Sequence, residues 1–76
     1  MERVEIFTGL DCGYCTAAKQ LLVQRGLAFR ERDVSQPEVL AEMRARLPRA
    51  RTIPQIFIDG EHVGGFDDLR DRLSGG

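Results

Sequence analysis

A chain of 76 residues makes one small domain, near the lower limit of what folds without metals or several disulfides to hold it. With 42% apolar and 30% charged residues it has ordinary globular composition, which excludes a disordered chain. A net charge of −1 argues against nucleic acid or an anionic membrane as the main partner, because either favours a basic face.

Met1-Glu2-Arg3 runs into a strand-like segment with no apolar stretch of the kind a secretion signal needs. No apolar run approaches the roughly 18 residues that span a bilayer. The two cysteines lie close together and cannot staple a secreted domain, so thiols that cycle in a reducing cytoplasm are expected.

Val4-Glu5-Ile6-Phe7-Thr8 alternates apolar and polar at first and then turns apolar on both sides, as an inner strand does. Gly9-Leu10-Asp11 forms the loop leaving it. From Cys12 the period becomes helical, with Ala18, Leu21, Leu22 and Arg25 on one side. Gly26 follows as a stop, and Leu27 is placed for the apolar contact that accompanies such a stop. Ala28 to Val34 reads as a strand anchored by Phe29 and Val34, and its charged middle, Arg30 to Asp33, suits a sheet edge.

Ser35-Gln36-Pro37-Glu38 reads as a helix start, with Ser35 as N-cap, Glu38 completing a capping box and Pro37 in the first turn. Val39, Leu40, Met43 and Leu47 then make an apolar stripe ending near Pro48. Gln55-Ile56-Phe57-Ile58 is short and apolar on both faces, as a central strand is, and Asp59-Gly60 turns it tightly back through Glu61-His62-Val63. Gly64-Gly65 breaks the chain again, and Asp67 or Asp68 caps a last helix containing Leu69 and Leu73. Ser74-Gly75-Gly76 reads as a frayed tail.

The order is β-α-β-α-β-β-α in a single domain over residues 1–76, an α/β fold. The first β-α-β unit crosses over right-handed and leaves its strands parallel. The hairpin adds two antiparallel strands, giving a four-stranded mixed sheet flanked by three helices.

Cys12 and Cys15 hold the nucleophilic sulfur of the chain, two residues apart at a strand-to-helix junction. Cys12 precedes or begins the helix, where unpaired N–H groups and the positive end of the dipole stabilise thiolate over thiol. That makes it the expected nucleophile. Cys15 lies one turn on and on the same side, within the Cα separation of about 4.4–6.8 Å that a disulfide requires, and serves as the resolving thiol. The alternative is a static disulfide or an inert buried pair. His62, in the hairpin, reads as a surface strand residue and Met43 as core. Two cysteines and one distant histidine fall short of a four-ligand zinc site, so no metal site is expected.

Four segments together resemble the glutaredoxins, specifically the small bacterial dithiol members: Cys12-Gly13-Tyr14-Cys15, Thr52-Ile53-Pro54, Gln55 to Gly60, and Gly64-Gly65-Phe66-Asp67-Asp68-Leu69. The resemblance covers nearly the whole chain. It implies a thioredoxin-like fold and a glutathione-dependent thiol–disulfide oxidoreductase that reduces protein disulfides and glutathione mixed disulfides through a redox-active Cys12–Cys15 disulfide.

The resemblance further implies that Tyr14 lines a glutathione groove and that Ile53–Pro54 is a cis peptide facing the cysteines. The Ile53 backbone would then pair with glutathione like an added strand. Gly64, Gly65, Phe66, Asp67 and Asp68 would hold the γ-glutamyl end, where helix N–H groups suit a carboxylate and an aspartate suits an ammonium. Read from the residues alone, Tyr14 is a solvent-edge aromatic, Pro54 a strand-start proline and the last segment a helix cap after a flexible turn.

Three departures from the family pattern stand out. Gly9 occupies a position where many members carry a lysine, and Arg51, before Thr52, is the best local replacement, with Arg49 or Arg44 in support. Arg44 and Arg46 themselves read as a solvated helix end. Gly13 replaces the common proline; some relatives with a small residue there hold a glutathione-ligated [2Fe–2S] cluster between two subunits, so a cluster carrier or assembly protein is one alternative. The chain also stops soon after Leu73, short of the terminal helix of many relatives. That brevity and Gly9 favour a second alternative, an electron donor reduced by thioredoxin reductase and serving ribonucleotide reductase. The expected partners are glutathione and disulfide-bonded or glutathionylated proteins, with the protein a monomer.

Overall fold

The computed structural model describes residues 3–74, in the order β1 (Val4–Thr8), α1 (Gly13–Gln24), β2 (Phe29–Asp33), α2 (Pro37–Arg46), β3 (Gln55–Ile58), β4 (Glu61–Gly64) and α3 (Phe66–Ser74). The strands form one sheet in the order β2-β1-β3-β4, with β1 parallel to β2 and antiparallel to β3, and β3 antiparallel to β4. This is the thioredoxin-like arrangement expected, and the charged strand β2 does lie at an edge.

Alternation along the two inner strands divides the core. Val4 and Ile6 of β1 join Ile56 and Ile58 of β3 on one face, packed against Ala18 and Leu22 of α1 and Leu69 of α3. Phe7 and Phe57 point the other way, onto Val39 and Met43 of α2. Glu5 shares the parity of Phe7 and meets Arg32 at 3.2 Å and Arg46 at 3.1 Å, while Arg32 also pairs with Glu42 at 2.8 Å. The Arg46 guanidinium lies 4.2 Å from the centre of the Phe57 ring. Arg46 is therefore not the solvated helix end expected: its stem crosses an aromatic ring, and its fork reaches a carboxylate on a neighbouring strand.

The helix ends follow local chemistry. Gly26, at φ +70°, lets the chain leave α1 with the Gly26 N–H on Val23 O and the Leu27 N–H on Leu22 O, the double bond of a Schellman stop. The expected capping box of α2 does not form. A residue before proline is pushed out of the helical region, so Gln36 is extended (φ −82°, ψ 124°) and becomes the N-cap, and the helix starts at Pro37. Ser35 is left outside, its N–H donating to the Asp33 carboxylate at 2.8 Å.

Neither Asp67 nor Asp68 occupies the N-cap of α3. Gly65 immediately precedes the helix, and Asp68 reaches back to accept its N–H at 3.1 Å, the N3 half of a capping box. The Asp68 side chain lies so close to Gly64 (φ +125°) that any Cβ there would collide with it. Asp59 and Gly60, at φ +53° and +80°, make the tight hairpin that their sequence demands. Ser74, expected in the tail, closes α3 and donates its hydroxyl to Arg70 O; Gly75 and Gly76 lie outside the described residues.

Candidate active site

Cys12 is the N-cap of α1, extended at φ −113° and ψ 102°, and its sulfur accepts the Cys15 N–H at 3.1 Å. Asp11, in the left-handed region at φ +52°, turns the chain into this position; aspartate is among the few side chains that tolerate it. Cys12 and Cys15 are joined as a disulfide with their Cα atoms 5.2 Å apart. Cys15 is 2% exposed and sits beneath the half-buried Cys12, so Cys12 presents the more accessible sulfur.

The Ile53–Pro54 peptide is cis, and the Ile53 carbonyl oxygen lies 3.7 Å from the Cys12 sulfur. Beside it runs a groove of about 370 Å³ between the start of α1, the 52–54 segment and the start of α3. Tyr14, Thr52, Ile53, Pro54, Gly65, Phe66, Asp67 and Asp68 line it, which gathers every binding residue expected from the sequence except Gly64 and Arg51. Arg51 is exposed and does not line the groove, and Arg44 and Arg49 are absent from its walls too.

Tyr14 stands 66% exposed, its ring centroid 6.1 Å from that of Phe66, so the two aromatics form one rim. At the α3 end, Gly65 N–H is taken by Asp68, while the N–H groups of the first helical turn have no partner within the helix. Asp67 approaches Arg70 at 3.6 Å on the exposed side.

Gly9 packs tightly against this wall. A Cβ at position 9 would come within 2.6 Å of Ile53 Cδ1, so a longer side chain there must turn that terminal methyl aside.

Two sets of groups around the cysteines escaped the sequence reading. A second cleft of about 490 Å³ opens on Cys12 and Cys15 from the side of β1 and β2, with Thr8, Lys19, Glu31 and Asp33 among its walls. Within it Glu31 accepts from Lys19 at 2.9 Å and from the Thr8 hydroxyl at 2.8 Å, and the lysine first, then the hydroxyl, holds its carboxyl below the usual range. Behind the 52–54 wall, buried Gln55 bonds both Thr52 and His62. Lys19 lies four residues after Cys15, and a polar residue heading a buried strand needs partners; those were the available signals. A larger cleft of about 810 Å³ near Arg3 and Gly60 contains neither cysteine.

The glutaredoxin family profile matches residues 4–63, which include the CGYC turn, the cis-proline segment and the hairpin. This chain belongs to the glutaredoxin family. It is 42% identical over 69 residues to glutaredoxin 3 of Escherichia coli, covering 91% of this chain and 83% of that protein. The crystal structure of glutaredoxin 1 from Francisella tularensis complexed with cacodylate superposes with a TM-score of 0.82 at 30% identity, over 99% of this chain and 95% of that one. A buckwheat glutaredoxin–glutathione complex superposes with a TM-score of 0.79 at 28% identity, over 97% of this chain and 71% of that one.

The Cys12–Cys15 pair is accordingly the active-site disulfide of a glutaredoxin-fold oxidoreductase. Among the described residues, no helix of this glutaredoxin is long and apolar enough to cross a membrane.

Proposed function

We propose that this glutaredoxin reduces glutathione mixed disulfides and protein disulfides with glutathione as its co-substrate. The observation that carries the reading is the Cys12 sulfur. It caps α1, accepts the Cys15 N–H, and lies 3.7 Å from the Ile53 carbonyl at the edge of the aromatic and acidic groove. That the buckwheat relative is a complex with glutathione supports the same ligand here.

In this reading the Cys12 thiolate attacks the glutathionyl sulfur of a glutathionylated protein. A Cys12–glutathione disulfide forms, the original disulfide breaks, and the protein thiolate leaves to take a proton from water. A second glutathione thiolate then attacks the glutathionyl sulfur, giving glutathione disulfide and restoring the Cys12 thiolate. For a protein disulfide, the mixed disulfide on Cys12 is instead broken by Cys15. The substrate leaves as a dithiol, and the Cys12–Cys15 disulfide remains for two glutathiones to reduce.

The groove contributes orientation. The Ile53 backbone suits pairing with the glutathione cysteinyl backbone like an added strand, the N–H groups opening α3 suit the γ-glutamyl carboxylate, and Asp67 or Asp68 suits its ammonium. Tyr14 and Phe66 supply the apolar rim, and Arg51 has no part in this wall. The protein acts as a monomer in the cytoplasm, where a cycling dithiol is kept reduced.

An NADPH-coupled assay decides between electron sources, one arm with glutathione and glutathione reductase and the other with thioredoxin reductase. Turnover in the first arm is expected, and turnover confined to the second overturns the reading in favour of a thioredoxin-reductase-served donor. In the first arm Cys12→Ser loses all activity above background. Cys15→Ser retains reduction of a glutathionylated peptide and loses reduction of a protein disulfide. Equal loss of both activities from Cys15→Ser contradicts the single-thiol step.

A further inference from the structure

Gln55 opens β3, directly after Pro54, and is 7% exposed, yet it carries a polar side chain into an otherwise apolar strand. Its amide nitrogen donates to the Thr52 carbonyl at 3.1 Å and to the Thr52 hydroxyl at 3.3 Å. A carbonyl only accepts, so the nitrogen must face Thr52 and the amide oxygen must face the other way. That oxygen lies 2.8 Å from His62 Nε2, across the β3–β4 hairpin. An amide oxygen is also only an acceptor, so the imidazole must carry its hydrogen on Nε2. The ring is steadied by Phe57, its register partner on β3, with centroids 5.2 Å apart.

We propose that Gln55 and His62 are positioning residues for the glutathione-facing wall: His62 orients the Gln55 amide, and Gln55 fixes Thr52 so that the Ile53 backbone is presented to ligand beside the Cys12 sulfur. Neither side chain lines the groove. They act through Thr52, one residue before the carbonyl that lies 3.7 Å from that sulfur. A segment without regular structure cannot hold its own direction, and here a buried amide supplies the missing partner. Protonating His62 leaves the device intact, because imidazole with its hydrogen on Nε2 and imidazolium both donate from that atom.

The inference rests on the glutathione reading for its ligand, and the test separates the two. Because His62 is exposed, His62→Ala is expected to fold. Losing one hydrogen bond should raise KM for a glutathionylated peptide, at saturating glutathione, about three- to tenfold with kcat unchanged. Backbone order parameters at Thr52 and Ile53 should fall while those of α1 do not. His62→Gln, which returns an N–H donor at similar reach, should restore both, whereas Gln55→Glu, which cannot donate to Thr52 when ionised, should show the larger defect. Unchanged order parameters at Thr52 and Ile53 in His62→Ala overturn the proposal, as do lowered order parameters with an unchanged KM or a defect that His62→Gln fails to repair. If the wild-type protein has no turnover with glutathione, the functional reading falls, and the order parameters still decide whether the pair positions the wall.

Discussion

On one face of the sheet, Val4, Ile6, Ile56 and Ile58 meet two helices in a cluster of hydrocarbon side chains. On the other, Phe7 and Phe57 meet the single helix α2, and the guanidinium groups of Arg32 and Arg46 lie over the aromatic rings within a lattice that also holds Glu5 and Glu42. The first face carries both helix starts that build the site, that of α1 with the cysteines and that of α3 with Gly65 to Asp68. The second supports the groove from behind, through Ile53. A short chain closes one face with oil and the other with flat cations over rings, so the two faces should answer differently to salt and acid.

The strongest way to separate them is truncation on the hydrocarbon side. Leu69→Ala removes a wholly buried side chain between α3 and the sheet and should cost about 2–5 kcal/mol in urea unfolding. Its cost should persist in 1 M NaCl, since cavity formation involves no charge. Arg46→Ala should cost about 1–2 kcal/mol, from lost stacking on Phe57 and lost pairing with Glu5. That penalty should shrink at high salt, and Arg46→Lys should restore little of it, because an ammonium cannot stack and fork at once. Equal salt dependence in the two variants would erase the distinction between the faces.

A smaller effect follows from acid. The hydrogen bond from Arg46 is the main reason the Glu5 carboxyl titrates below its ordinary value of 4.5, and that from Arg32 does the same for Glu42. A carboxylate held below its unfolded value adds stability that is full above about pH 4.5 and is lost as pH falls through the lower folded value. The stability gap between wild type and Arg46→Ala should therefore narrow between pH 6 and pH 3. A gap that is constant across this range would assign the role of Arg46 to packing alone.

What could be read from the chain follows the same division. β1 and β3 are legible because an apolar run bounded by turn residues has few other solutions, and Asp59-Gly60 leaves little choice of turn. The hydrocarbon face was thus visible in advance. Arg46 was not, because a charged residue near a helix end looks solvated unless its neighbours on other strands are known. The α2 start was misplaced by one residue because Pro37 acts backwards on Gln36, and this outweighed the serine. At the site, the cysteines and the groove walls were recoverable from motifs, while the Gln55–His62 link spans a hairpin and depends on register.

The sulfur that begins α1 has a double duty with a practical outcome. Ionised, it is a better acceptor for the Cys15 N–H than when it is protonated or bonded to another sulfur, so the first turn of the helix should tighten and slacken as the protein cycles. The Cys15 amide resonance, one hydrogen bond from the reacting atom, is then a built-in gauge of the state of Cys12, readable in intact protein without a dye or a second substrate.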